Sequence, residues 1–199
     1  MRTFAITFDY RCPFARNANE HVVAGIPQGA DWDVTFVPFS LGQVHVADDE
    51  TPIWDRPDDD SGLLALQVGT AVNAVDPQGF LPVHRDLFAL RHDHGGDLRD
   101  RAALREVVAA HEVDADAVFA MVDDGRALKL VRDAHEAAAV DHDVWGVPTF
   151  ISGDRAVFVR LMSRPDGEGE GPVPTIERVL DLLDGFADLN EFKHTSVQR

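Results

Sequence analysis

The chain has 199 residues, 35 acidic against 18 Lys and Arg, for a formal net charge of −17. That balance argues against a nucleic-acid partner, since phosphate binding needs clustered positive charge, and it would repel an anionic membrane. With Lys129 and Lys193 its lysines, the chain presents a solvated, repulsive surface that says nothing specific about mechanism.

The first segment, Thr3–Phe8, is rich in β-branched and aromatic residues and reads as a strand buried on both faces of a sheet. Behind it comes Phe8-Asp9-Tyr10-Arg11-Cys12-Pro13-Phe14-Ala15, which opens a helix: Phe14, Ala18, Val22 and Gly25 recur at helical spacing. Pro13 falls in the first turn, where its missing N–H costs nothing. Cys12, the lone cysteine, stands at the helix mouth. There, unpaired amides and the helix dipole favour the thiolate and lower its pKa, and the thiolate is the attacking species in disulfide exchange. Arg11 and Arg16 flank it and either add positive potential or point to solvent. The plain alternative is a small buried apolar residue. The strand before Cys12 favours the chemical reading, because α/β folds place their chemistry at the carboxyl ends of strands.

A second strand is expected over Trp32–Pro38. Residues 45–62 carry Asp48-Asp49-Glu50, Trp54 and Asp58-Asp59-Asp60 between prolines and read as a mobile acidic loop, either a lid or a plain surface connection. From Gly62 to about Val140 the pattern is helical, with stripes at Leu63–Val72, Leu81–Leu90, Leu104–Val108, Val118–Val122 and Leu128–Ala139. Val147–Ser152, a tight Gly153-Asp154 and Ala156–Arg160 form an expected antiparallel hairpin. Arg164–Pro174 reads as a loop, and Ile176, Val179, Leu180, Leu183 and Phe186 mark an amphipathic helix.

Among other polar residues, His92-Asp93-His94, with His84 and Asp97, lacks the spacing of a metal site and reads as a polar helix end closed by Gly95-Gly96. No metal is expected. His142-Asp143 either approaches Cys12 as a proton acceptor or faces water. Glu20 and His21 lie two turns from Cys12, too far for contact. Tyr10, Phe14 and Trp145 form an apolar substrate wall or cover the core. No phosphate cradle or Ser-His-Asp arrangement is recognised.

Cys12-Pro13-Phe14-Ala15 after a strand, the distant run Val144-Trp145-Gly146-Val147-Pro148-Thr149-Phe150, and a helical block between them resemble the DsbA-like branch of the thioredoxin-fold family. There a Cys-x-x-Cys at a helix N-terminus faces a loop carrying a cis-proline. The resemblance implies an α/β thioredoxin fold with an inserted all-helical subdomain: residues 1–61 and 141–199 the thioredoxin-like domain, residues 62–140 the insertion. It implies Cys12 as nucleophile, with Pro13, Phe14 and Ala15 in support. Val147 and Pro148 would present the substrate backbone, joined by Tyr10 and Trp145 as substrate-binding residues.

Ala15 stands where the family has its second cysteine, so Cys12 cannot be released by a neighbouring sulfur and needs an external thiol. The expectation is a monothiol thiol-disulfide oxidoreductase that exchanges with a small thiol or a protein thiol or disulfide. It has no tightly bound cofactor, though a low-molecular-weight thiol can serve as cosubstrate. The alternatives are a thiol-dependent transferase or isomerase of the glutathione-transferase kappa or hydroxychromene-carboxylate isomerase type, and a non-catalytic binding protein. No stretch approaches membrane-spanning length and the N-terminus lacks the basic region and apolar core of an export signal, so a cytoplasmic location is expected. Oligomeric state cannot be read from the sequence.

Overall fold

The computed structural model describes residues 1–47, 49–167 and 169–194. Its centre is a four-stranded mixed sheet in the order β2-β1-β3-β4. Strands β1 (Arg2–Phe8) and β2 (Trp32–Pro38) run parallel, with Arg2 opposite Trp32 and Phe8 opposite Pro38. Strand β3 (Thr149–Ser152) is antiparallel to β1, setting Ile6 against Phe150, and turns at Gly153 into β4 (Arg155–Phe158). The turn glycine has φ 59°, a left-handed conformation that glycine adopts without a side-chain clash.

Alternation along β1 divides the packing. Phe4 and Ile6 join Phe150 on one face, where Ala18 and Val22 of α1 (Pro13–Gly25) meet Ile176, Leu180 and Leu183 of α8 (Pro172–Gly185). On the other face Ala5 and Ile151 belong to a larger core that runs from Phe8 and Tyr10 through the helices following β2. After the short α2 (Leu41–Val44), these are α3 (Leu63–Val75), α4 (Phe80–His92), α5 (Arg101–Ala109), α6 (Ala115–Asp123) and α7 (Arg126–His142). The architecture is the expected one, a thioredoxin-type fold with helices inserted between β2 and β3.

Helix α3 is the hub of the insertion. Leu63, Ala65, Leu66, Val68, Ala71 and Val72 are fully buried, as expected of a helix surrounded by others. Part of the acidic excess caps these helices. Asp100 accepts from the Ala102 and Ala103 amides and Asp114 from those of Asp116 and Ala117, while Asp60 accepts from Gly62 and Leu63 at 2.8 Å each. The N-caps Asp100 and Asp114 contribute about 1 kcal/mol apiece.

Three expectations need correction. The acidic segment before α3 is anchored rather than mobile: Ile53 and Trp54 are buried, Trp54 meets the His135 ring at 5.4 Å, and Asp60 is turned inward. Burial of two large apolar side chains outweighs the hydrophilicity of the run around them. Helix α8 begins at Pro172, inside the stretch expected to be loop, because prolines fit a helix's first turn. Phe186, expected on its packing stripe, lies past the last turn and is exposed. Asp48 of the acidic run and Glu168 of the glycine-rich loop lie outside the described residues. No described helix is long and apolar enough to cross a membrane.

Candidate active site

Beyond β1 the chain turns back, with the Cys12 amide donating to the Asp9 carbonyl at 3.0 Å, and enters α1. Cys12 is the N-cap, in extended conformation, and Pro13 occupies the first helical position exposed to solvent. The Cys12 sulfur accepts from the Ala15 amide at 3.4 Å and donates to the Val147 carbonyl at 3.5 Å. The Val147–Pro148 peptide is cis. Two segments far apart in sequence therefore meet at one sulfur.

Thr7 of β1 ties the proline turn in place. Its hydroxyl accepts from the Thr149 amide at 2.8 Å and donates to the Gly146 carbonyl at 3.5 Å, and the Thr149 hydroxyl reaches the same carbonyl at 2.8 Å. On the other side the Val159 amide donates to the Pro148 carbonyl at 3.1 Å.

The ionisation expected of Cys12 is overturned. The residue is only 9% exposed, and burial pushes its thiol above the ordinary value. The amides of Ala15 and Phe14 pull the other way, as the helix-mouth argument requires, but desolvation of the charged form is the larger effect. Among nearby charges, Asp9 raises the value and Arg160 lowers it. Cys12 rests as a neutral thiol, one lone pair facing an amide and its proton facing a carbonyl.

The arginines flanking Cys12 in sequence do not serve the sulfur. Arg11 is committed to Asp9 at 2.7 Å and Asp60 at 2.9 Å. Arg16 pairs with Glu20 at 2.9 Å and with Asp93, and Glu20 also takes Arg164 at 2.6 Å. Asp9 is fully buried, accepting from the Arg11 side chain and from the Leu41 amide. The sequence signal for this buried charge is a carboxylate set between two core aromatics, Phe8 and Tyr10.

Tyr10 is not a substrate-binding residue. It is fully buried, and its hydroxyl donates to His84 Nδ1 at 2.9 Å; His84 Nε2 in turn donates to Asn19 Oδ1 at 3.1 Å. The direction follows from Asn19, whose amide group donates to the Ala15 carbonyl at 2.8 Å and so leaves its oxygen for the imidazole. Burial lowers the His84 pKa to about 3, so the ring is neutral. His92 is the polar helix end expected, the last residue of α4, and its Nε2 donates to the Tyr10 carbonyl at 2.9 Å. Among the described residues no three His, Cys, Asp or Glu side chains converge as a metal site. His142 is not a hydrogen-bond partner of the sulfur, and its Nδ1 is buried without a partner among the described residues.

Phe14 is half-buried, Ala15 fully buried, and Trp145 is 61% exposed against the Phe158 ring, 4.5 Å between centroids. The Arg160 guanidinium stands 5.3 Å from the Phe14 and Phe158 ring centres. Phe14, Arg160, Phe158 and Trp145 thus make an outer wall beside the helix mouth. Phe158 and Arg160, at the end of the hairpin, are its further members, joined to Phe14 through the sheet.

A family model described as DSBA-like thioredoxin domain matches residues 4–162. The chain belongs to the DsbA-like thioredoxin family. Membership supports a function of the thiol-disulfide oxidoreductase type. Similar solved structures include oxidised BdbD from Bacillus subtilis, 15% identical, covering 90% of this chain and 85% of that one at a TM-score of 0.63. Another is alpha-DsbA2 from Wolbachia pipientis, a thiol-disulfide exchange protein: 16% identity, 90% and 80% coverage, TM-score 0.59. A third is a 2-hydroxychromene-2-carboxylate isomerase: 15% identity, 89% and 94% coverage, TM-score 0.62. At such identities the likeness shows the fold alone. No curated protein matches the chain by sequence.

Proposed function

We propose that this DsbA-like protein is a cytoplasmic monothiol thiol-disulfide oxidoreductase with Cys12 as its reacting sulfur. The observation that carries the reading is the 3.5 Å approach of the Cys12 sulfur to the Val147 carbonyl of the proline turn. A substrate strand that competes for that carbonyl displaces the S–H from its acceptor just as its own disulfide comes alongside. Cys12 then loses its proton to water and attacks one sulfur of the substrate. A new S–S bond forms, the old one breaks, and the electron pair leaves on the departing thiolate, which is protonated in turn.

Ala15 offers no second sulfur, so a second, external thiol, ionised, attacks the mixed disulfide and returns Cys12 to its thiol. That thiol is the cosubstrate; a small or protein disulfide is the partner, and neither a tightly bound cofactor nor a metal enters the cycle. The raised thiol pKa slows encounter with stray disulfides, while a more basic thiolate is the stronger nucleophile once formed. A single thiol without an oxidising partner suits a reducing compartment.

The test is exchange between a small disulfide and a small thiol with the folded protein as catalyst. Turnover above the uncatalysed rate, a single reducible adduct by intact mass, and loss of both in Cys12→Ser are expected. If Cys12 accepts the disulfide only after urea unfolding, the proposal fails.

A second reading is favoured by the neutral state of Cys12 and by the aromatic outer wall: a thiol-dependent isomerase or transferase, like the chromene-carboxylate isomerase of similar fold. The Cys12 S–H would then donate to the thiolate of a bound cosubstrate instead of attacking. A hydroxyl can do the same, so Cys12→Ser would keep activity under this reading and lose it under the first.

A further inference from the structure

This inference rests on the reading of Cys12 as the reacting thiol and names what that thiol selects. The arginines around the helix mouth fall into two groups. Arg11, Arg16 and Arg164 are held by carboxylates. Arg160 is exposed and, among the described residues, has no carboxylate partner. It is held instead against Phe14, two residues along from Cys12, and Phe158, which carries Trp145 on its ring. The backbone fixes its place, since the Val159 amide bonded to the Pro148 carbonyl brings the end of β4 against the proline turn.

An arginine held by ring faces keeps N–H donors for an anion, and its planar fork matches a carboxylate. A molecule of net charge −17 repels anions over most of its surface. An uncompensated guanidinium beside the thiol is a local exception to that field. We propose that Arg160 is a specificity-determining residue that selects aromatic, carboxylate-bearing thiols and their disulfides. The carboxylate sits on the guanidinium and the flat ring lies on the exposed face of Trp145, which brings the substrate sulfur to Cys12.

The experiment compares the second-order rates of Cys12 with dithiobis(nitrobenzoate), an anionic aromatic disulfide, and dithiodipyridine, a neutral one. Each rate is divided by that of the urea-unfolded chain to remove intrinsic reactivity. The normalised anionic-to-neutral ratio is expected on the order of 10 in the native protein, the scale of one charge-assisted hydrogen bond. It should fall below one in Arg160→Gln, where only the acidic surface is left, and partly recover in Arg160→Lys. Added salt should lower the ratio in the native protein and raise it in Arg160→Gln. Because the variant alters Cys12 ionisation for both probes alike, that effect cancels.

An unchanged ratio in Arg160→Gln overturns the inference while leaving the monothiol reading intact. If folded Cys12 reacts with neither probe, the monothiol reading fails, and Arg160 is then judged by equilibrium binding. Nitrobenzoate should saturably quench Trp145 fluorescence in Cys12→Ser, with Trp145→Phe separating that signal from Trp32 and Trp54. Quenching lost on adding Arg160→Gln supports the site, and absence of saturable quenching refutes it.

Discussion

The two walls around Cys12 contrast sharply in how their polar groups are matched. On the inner wall Asp9 is paired with Arg11, Arg11 with Asp60, Tyr10 with His84 and His84 with Asn19, with only Arg11 reaching partly to solvent. On the outer wall Arg160 and Trp145 are open to solvent with aromatic neighbours and, among the described residues, no counter-charge. The inner wall consumes the cations that the sequence places next to the cysteine, which is one reason the sulfur rests neutral. On the proposal for Arg160, recognition falls to the outer side of the helix mouth and the matched polar groups to the inner.

The largest effect should come from opening the inner wall. Arg11→Ala leaves the fully buried Asp9 and the nearly buried Asp60 without their cation. Removing one partner of a buried pair costs about 3–5 kcal/mol, to be read from the urea midpoint. A loss near zero would mean that water already reaches Asp9 and that the two walls do not differ.

Acid should weaken the same wall next. His84 and His135 are buried as neutral rings, their pKa values lowered from 6.5 to about 3 and about 4. Between 6.5 and these folded-state values the unfolded chain binds more protons than the native one, so stability is full above 6.5 and falls with pH. Two such groups give a slope of up to about 2.7 kcal/mol per pH unit. His135→Gln, which keeps an acceptor for the Ser40 amide, should reduce that slope by about half.

A smaller effect is expected from Gly69→Ala on α3. A Cβ there would stand 2.2 Å from the Tyr10 hydroxyl oxygen, forcing the ring off His84. Overpacking of this kind costs about 1–3 kcal/mol. Thermal unfolding of the variant measures it, and a neutral result would show the inner wall to be deformable.

The walls also differ in how far they could be read from sequence. Period-two and period-3.6 patterns carry β1, β2, the hairpin and the inserted helices, because those patterns are set by burial of one face or stripe. The meeting of Cys12 with Val147 and Pro148 was legible through the family resemblance. Tyr10 was not: an aromatic beside a cysteine looks like a substrate wall, and only the gap left by Gly69 on a distant helix turns it inward. Trp54 was hidden in an acidic run for the same reason, since its partner His135 lies on α7. Arg160 meets Phe14 only through the sheet. The ionisation of Cys12 was misjudged because helix amides are a local feature, whereas burial is set by everything that packs over the sulfur.

The smallest expected effect is also the most direct comparison of the walls, because both act on one proton. Alkylation of native Cys12 against pH should show a midpoint above the ordinary thiol value, burial being the main cause. Asp9 raises that midpoint from inside and Arg160 lowers it from outside. Asp9→Asn should therefore move it down and Arg160→Gln up, with the fold of each variant checked by circular dichroism. Shifts in the same direction would mean that the substitutions act through altered burial rather than charge, and the division of labour between the walls would lose its electrostatic basis.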